Sequence, residues 1–373
     1  DVVQALERAC QLLKAFKNEE VVRLRDLVAR TALHKATASR LVRTLEAQGL
    51  VERIGVNRFR SLVRLPIHER HRIGFATRGT DTPFSRVVTA SVQRAAAEAG
   101  MELVTISSHR NPRTALRNAD ALAREGVELV IEFQCHASIA PIISSRLLEA
   151  GIPVIAIEIP HPGATYFGAN NDRAGMLGGQ GIGRWIQRHW HGQLDCVYLL
   201  GENRAGPLVR LRVSGMLAGL REVLPQTDGI PVIEIDGRGS LEKSLELLRK
   251  HLRFAPPRRT AVLAGADPMA LAAVCAFEEA GRSQLCAVMG QNASEEARAE
   301  LRRPGSPLIG SVAYFPERYG DQIIPLALAI LAKKAVPAAV FTKHELITPE
   351  NVDRIYPSDR VLPETLINPL TPS

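Results

Sequence analysis

The chain of 373 residues reads as an α/β protein, two doubly wound parallel-sheet lobes preceded by a small basic domain of three helices and a hairpin. Three observations carry that reading. Positive charge is concentrated at one end: residues 1–72 hold 15 Lys/Arg against 8 Asp/Glu, the remainder holds 32 against 31, and the net charge is +8. The first sixty residues follow helical spacing and then a hairpin pattern. From residue 72 onward, short apolar runs alternate with helical stretches, the pattern of parallel strands buried on both faces. A small basic unit joined to a large neutral one implies a polyanion partner for the first and a different partner for the second.

Taken in order, Val3, Leu6, Ala9, Cys10, Leu13 and Phe16 recur at helical spacing and define a first helix over 2–16. A shorter helix covers 25–30, with Leu24, Leu27 and Val28 apolar. Thr31-Ala32-Leu33-His34 is a tight turn, and a third helix runs from Lys35 to Ala47, stopped by Gly49, which suits a left-handed helix end. That third helix is apolar on one face only, through Leu41, Val42 and Leu45, while Lys35, Thr37, Ser39, Arg40 and Arg43 point elsewhere. The runs 50–54 and 58–62 flank Gly55-Val56-Asn57 as a hairpin. Helix, helix, turn, helix, hairpin is the order of a winged helix-turn-helix, here assigned to 1–61. Residues 62–71, LVRLPIHERH, read as a linker on their proline and mixed charge.

The domain from 72 to 373 shows strand-type runs at 72–76, 101–106, 129–133, 153–157, 196–200, 232–235, 260–264, 285–289 and 308–312. Helical stretches between them include 86–99, 112–124, 138–150, 175–189, 209–224 and 269–280. So many strands exceed one comfortable sheet, and two similar halves are expected.

Several function classes are excluded at this level. The five cysteines, Cys10, Cys135, Cys196, Cys275 and Cys286, are widely spaced without any CxxC, so neither a disulfide framework nor a metal site is expected. There is no GxSxG, P-loop or HExxH, and the glycines of 178–183 (GGQGIG) fall inside a helix rather than after a strand, so they are no dinucleotide fingerprint. No catalysis and no cofactor are expected. No run of about 18 apolar residues appears, and the chain, which does not begin with Met, opens on an amphipathic helix rather than a leader. A cytoplasmic protein with no membrane partner is the expectation.

Residues ALERACQLLKAF, then LRDLVARTALHKATASRLVRTLEAQGLVER, then the hairpin, resemble the DNA-binding domain of the IclR family of bacterial regulators. The likeness implies that the first turn of the third helix enters the major groove, with Lys35, Thr37, Ala38 and Ser39 as candidates for base edges. It implies phosphate contacts from Arg40 and Arg43, and backbone or minor-groove contacts from Arg58 and Arg60 on the wing. The plain alternatives are arginines that only solvate a helix and a Ser39 that bonds back to it.

The large domain resembles the type I periplasmic binding protein fold of ribose-type sugar-binding proteins and of the LacI effector domain. The likeness rests on GIPVIAIEIP, FGANNDRAGMLGG, RLRVSGMLAGL, ADPMALAAVCAFEEAG and LITPENVDRIYP, which occur in family order. It implies two lobes joined by three crossovers and closing on a small molecule, lobe 1 over about 72–168 and 314–338, lobe 2 over about 171–311 and 340–357. Ligands of open α/β sheets bind beyond the carboxyl ends of the strands. Matched residue by residue, Arg78 and Phe84 follow the first strand, Glu158 the fourth, Asn171 lies at the first crossover, Arg212 is the arginine of the RLR segment, and Asp267, Asn292 and Tyr314 complete the set. The plain alternatives are core packing for Phe84 and Tyr314, helix caps for Asn171 and Asp267, and a surface carboxylate for Arg212. His136 and His161 are ordinary loop histidines or further lining. The family's Asn-Asp before the Met-Ala-Leu helix is Ala266-Asp267 here, and Asn292 stands where an acid is common, so an acidic or phosphorylated sugar stays in play beside a neutral one.

Both likenesses together imply a homodimeric transcription regulator whose affinity for double-stranded operator DNA is set by a carbohydrate-like effector. The alternative is the solute-binding protein of a sugar transport system. The linker LVRLPIHERH carries no pattern of the LacI hinge helix.

Overall fold

The computed structural model describes residues 4–16, 21–63 and 71–360, and the chain divides into two compact units, 1–70 and 71–373. The smaller unit is built from α1 (Gln4–Lys14), β1 (Val22–Arg23), α2 (Leu24–Thr31), α3 (Lys35–Ala47), β2 (Val51–Gly55) and β3 (Arg58–Ser61). Its core gathers Leu12, Phe16, Val22, Leu27, Ala38, Val42, Leu45, Val51 and Phe59. Ala38, Val42 and Leu45 stand four and three residues apart, one stripe of a helix. Ala38 is therefore sealed in the core and is no candidate for a base edge. The turn between α2 and α3 holds Ala32 in the left-handed region (φ 53°), and the His34 ring accepts from the Ala36 N–H to cap α3. The two-residue β1 pairs with β3 through Val22↔Phe59 and Arg23↔Arg58, too short to leave a period in the sequence. Of the expected linker, residues 64–70 lie outside the described residues.

The larger unit holds two six-stranded sheets. The first lobe is laid down as β4 (Arg72–Thr77), α4 (Pro83–Glu98), β5 (Glu102–Ser107), α5 (Pro112–Arg124), β6 (Leu129–Glu132), α6 (Ala140–Glu149), β7 (Val154–Ile157) and β8 (Thr165–Gly168). The second follows as α7 (Asn171–His189), β9 (Cys196–Gly201), α8 (Pro207–Val223), β10 (Val232–Asp236), α9 (Leu241–Leu252), β11 (Thr260–Ala264), α10 (Asp267–Glu279), β12 (Cys286–Asn292), α11 (Glu295–Leu301) and β13 (Leu308–Ala313). The chain returns through α12 (Tyr319–Leu331) and β14 (Ala339–Phe341), then crosses again to β15 (Glu345–Ile347) and α13 (Val352–Ile355).

Sheet order is β14-β8-β7-β6-β4-β5 in the first lobe, all parallel, and β10-β9-β11-β12-β13-β15 in the second, with only β15 antiparallel. Strand alternation divides each core. Tyr198, Leu200 and Val262 join one cluster while Val197, Leu199 and Ala261 join the other, so apolar side chains are needed on both faces.

In the larger unit, two strands depart from expectation. β8 follows β7 without a helix between them, so strand-helix alternation does not announce it. β14 pairs with β8 (Ala339↔Tyr166, Phe341↔Gly168), which places residues 340–341 in the first lobe and not, as expected, in the second. Val340 packs on the first lobe's core, and the third crossover is the short segment 342–344.

The glycines of 178–183 lie within α7, which packs on α8 with the two backbones touching. A Cβ on Gly175 would meet the Arg212 carbonyl, one on Gly179 the Met216 carbonyl, and one on Gly183 the Val223 side chain at 2.8 Å. From the other side, a Cβ on Gly215 would meet the Asp172 carbonyl at 2.8 Å. Interlocked glycines at four-residue spacing bring α8 close to α7 and thereby set the position of Arg212.

Candidate functional site

In the small unit, Lys35, Arg40, Arg43 and Arg58 are exposed, while Thr37 and Ser39 are half-buried. Lys35, Arg40 and Arg58 make no ion pair among the described residues, and Arg43 stands near Glu46. Arg60 is already paired with Glu52 across the hairpin at 3.0 Å, and Arg53 with Glu46 at 3.1 Å. A groove of about 470 Å³ runs between the start of α3 and the wing turn, lined by Arg23, Arg25, Lys35, Asn57 and Arg58 among others. Arg23 and Arg25 are additions that sequence spacing does not anticipate. Their position beside the wing is created by β1, which two residues cannot announce. The arrangement offers a cationic concave strip beside an exposed helix N-terminus, suited to a phosphate backbone.

In the large unit, a cavity of about 70 Å³ lies between the lobes, beyond the carboxyl ends of the strands. Arg78, Phe84, Glu158, Arg212 and Asn292 all line it. Arg212, from α8 of the second lobe, is almost fully buried and donates through Nη2 to Glu158 Oε2 of the first lobe at 3.2 Å. Its Nε donates to Asn171 Oδ1 at 2.9 Å, its Nη1 to the Gly265 carbonyl at 3.0 Å, and its guanidinium lies over the Tyr314 ring at 4.8 Å. Burial works against the charge on Arg212, but the surrounding oxygens, those of Tyr314 and Glu158 foremost, more than offset it and raise its pKa. Glu158 Oε1 in turn accepts from the Tyr319 hydroxyl at 2.7 Å and the Ala169 N–H at 3.2 Å.

Asn171 and Tyr314 thus stand behind the lining and hold Arg212 from two sides, and Asn170, not Asn171, caps α7. Asp267 does not face the cavity. It is the first residue of α10 rather than its cap, fully buried, and accepts from Ser311 Oγ at 2.6 Å and from the Ser294 N–H at 2.6 Å. Burial pushes its pKa up to about 7, against the pull of those hydrogen bonds. His136 and His161 do not line the cavity. His136 Nε2 lies 2.9 Å from the Arg110 carbonyl, and burial drives the His161 pKa down to about 4.

Sequence reading missed Arg110 and Glu202, which bridge the lobes at 3.5 Å, and the buried Cys135, all on the cavity wall. Each follows a strand by a few residues, so the strand-end rule alone could have found them. Glu158 (φ 63°), Asn292 (φ 105°) and Arg110 (φ 58°) occupy the left-handed region. Such backbone costs of order 1–3 kcal/mol per residue and clusters where side chains must be aimed at a ligand. Gly168 makes room for one of them, since a Cβ there would meet Glu158 Oε1 at 2.9 Å.

Comparisons with known proteins agree with this fold. The model of the periplasmic binding protein domain matches residues 73–335, and that of the IclR helix-turn-helix domain matches 5–55. The HTH-type transcriptional repressor PurR of Edwardsiella ictaluri is 23% identical over 283 residues, 75% of this chain and 79% of that protein. The PurR repressor of Photorhabdus laumondii is also 23% identical, over 285 residues, 75% of this chain and 79% of its own. Among solved structures, a solute-binding protein of Mycobacterium smegmatis with bound glycerol superposes with a TM-score of 0.68 at 19% identity, over 76% of this chain and 96% of its own. One from Actinobacillus succinogenes with bound D-allose gives 0.66 at 17% identity, over 76% and 99%. Among the described residues no helix is long and apolar enough to cross a membrane. The chain belongs to the periplasmic binding protein domain family and, with an IclR helix-turn-helix domain over residues 5–55, is a ligand-regulated DNA-binding transcription regulator.

Proposed function

We propose that a carbohydrate-type small molecule, bound between the lobes, controls the affinity of a homodimer for its operator. The observation that carries this reading is the inter-lobe cavity, whose charged walls come from both lobes of a chain that also carries a DNA-reading helix. A ligand touching Arg78 and Glu158 on one side and Arg212 and Asn292 on the other favours the closed lobes by its differential affinity for them. Two heads reading half-sites one helical turn or a multiple apart require two chains, and the closed fraction sets their spacing. On this reading the cleft releases its ligand unchanged, no cofactor takes part, and the protein works in the cytoplasm. Lys35, Thr37 and Ser39 face base edges, while Arg40, Arg43, Arg58 and Arg60 face phosphates or the minor groove. The bound sugars and polyols of similar solved structures support a carbohydrate effector. The test is a gel shift on DNA upstream of the protein's own gene, with and without a sugar panel. Salt-sensitive, sequence-selective binding that one sugar alters is the expected result. Binding indifferent to sequence would overturn the reading.

A further inference from the structure

We infer that the effector is an acid: its carboxylate or phosphate docks on the guanidinium of Arg78, and its hydroxyls face Arg212 and Asn292. This rests on the cleft being the effector site, as proposed above, and narrows the class of molecule it takes.

The cavity wall carries three arginines, Arg78, Arg110 and Arg212, against two glutamates, Glu158 and Glu202. Arg212 is matched by Glu158 at 3.2 Å. Arg110 and Arg204 share Glu202 at 3.5 and 2.7 Å, and Arg110 also reaches Asp81 at 3.3 Å. Arg78 has no such partner among the described residues. Its Nε donates to Ser85 Oγ at 2.7 Å, and that hydroxyl is itself tied to Thr82 Oγ1 at 2.7 Å. The guanidinium lies over two neighbouring aromatic rings, with its central carbon 4.7 Å from the Phe133 centroid and 5.8 Å from that of Phe84. Its edge, Nη1 and Nη2, makes no hydrogen bond to a protein acceptor among the described residues, and Arg78 is on the cavity wall. Burial pulls the Arg78 pKa below the usual arginine value, with Glu202 and Glu158 acting on it only at a distance. A cation packed on two rings with its donor fork free presents two parallel N–H groups, the geometry that carboxylate and phosphate oxygens accept bidentately.

The rest of the wall points the same way. The first turns of α4 (Pro83, Phe84) and α10 (Pro268, Met269) line the cavity and contribute the partial positive charge of helix N-termini. The acceptors that a neutral sugar needs for its hydroxyls are scarce. Glu158 and Glu202 are already engaged by arginines, and Asp267 is committed to Ser311 and Ser294. A wall rich in donors and poor in free acceptors selects an acceptor-rich ligand, which an oxyanion is.

The experiment uses the full chain and matched probes: D-glucose, D-galactose and myo-inositol against D-gluconate, D-galacturonate and D-glucose 6-phosphate, read by thermal shift and calorimetry. We expect at least one acid to raise Tm while its neutral counterpart binds ten-fold or more weakly, and Arg78→Gln to weaken that acid ten-fold or more. The carboxylate and phosphate arms identify the anion. Should Arg78→Gln fail to fold, Arg78→Lys and the acid-against-neutral comparison on the unmodified chain carry the test. Neutral sugars that bind as tightly as their acids, or acids that bind Arg78→Gln unchanged, overturn the inference and leave the carbohydrate reading standing. No shift with either set overturns both.

Discussion

Arg212 is the residue on which the cleft turns, and its value depends on its partners. It ties Glu158 of one lobe to Asn171 and Gly265 at the base of the other, with the Tyr314 ring beneath it. Removing one partner of a buried ion pair leaves a charge uncompensated, which costs about 3–5 kcal/mol, whereas replacing both by uncharged groups of similar volume is far milder. Arg212→Ala is therefore expected to lower denaturant-derived stability by that amount and to abolish effector-induced stabilisation. Arg212→Met combined with Glu158→Gln should recover most of the stability but none of the ligand response. Equal losses in the single and double variants would show that the pair contributes through something other than charge.

At the scale of elements, two helices carry separate predictions. The α7–α8 packing admits no side chain at Gly179, since the first added carbon would overlap the Met216 carbonyl. Gly179→Ala gains helix propensity, roughly 1 kcal/mol on an open helix. Here it forces two backbones apart, and overpacking of this kind costs about 1–3 kcal/mol. A net fall in Tm is expected, and a rise would mean that α8 can slide. On the proposed reading, the exposed cations of α3 act on DNA instead of on the fold. Replacing Arg40 and Arg43 by Ala should leave the melting temperature within about 1 °C, as surface changes do. It should also weaken operator binding and flatten the salt slope by about 1 for each phosphate that is no longer neutralised. An unchanged slope would mean that neither arginine touches a phosphate.

For the whole molecule, buried acids govern how stability varies with pH. Glu132, at the end of β6, is fully enclosed, and burial alone raises its pKa to about 8, with no partner for Oε2 among the described residues. A folded-state pKa above the unfolded one means that the native state holds the extra proton. The associated stability is complete below the ordinary glutamate range and is lost as pH rises through about 8. Asp267 acts in the same direction, with its loss ending near pH 7. Glu132→Gln should therefore raise Tm by several degrees at pH 9, at about 2–4 °C per kcal/mol for a domain of 150–250 residues. Near pH 5 it should change Tm little. A gain that is the same at both pH values would point to packing rather than ionisation.

Most of the architecture was legible because it rests on local periodicity. The third helix, Lys35–Ala47, and the helix Pro112–Arg124 have the bounds that their spacing predicts, since amphipathic stripes and stops are written in neighbouring residues. The charge imbalance, the alternation of buried strands and helices, and the ordered family segments determined that there is a DNA-reading unit and a two-lobed one. Only tertiary structure decided the rest. It placed Arg23 and Arg25 beside the wing, moved Ala339–Phe341 to the first lobe, and turned the glycines of α7 into a helix-packing seam. It also committed Asp267 to the core, brought Arg110 and Glu202 together across the cleft, and left Arg78 on the cavity wall with no carboxylate partner among the described residues. Those outcomes depend on which groups meet across dozens of residues. Hydrophobic spacing records which face of an element is buried, whereas the charge balance of a cavity exists only once distant segments share it.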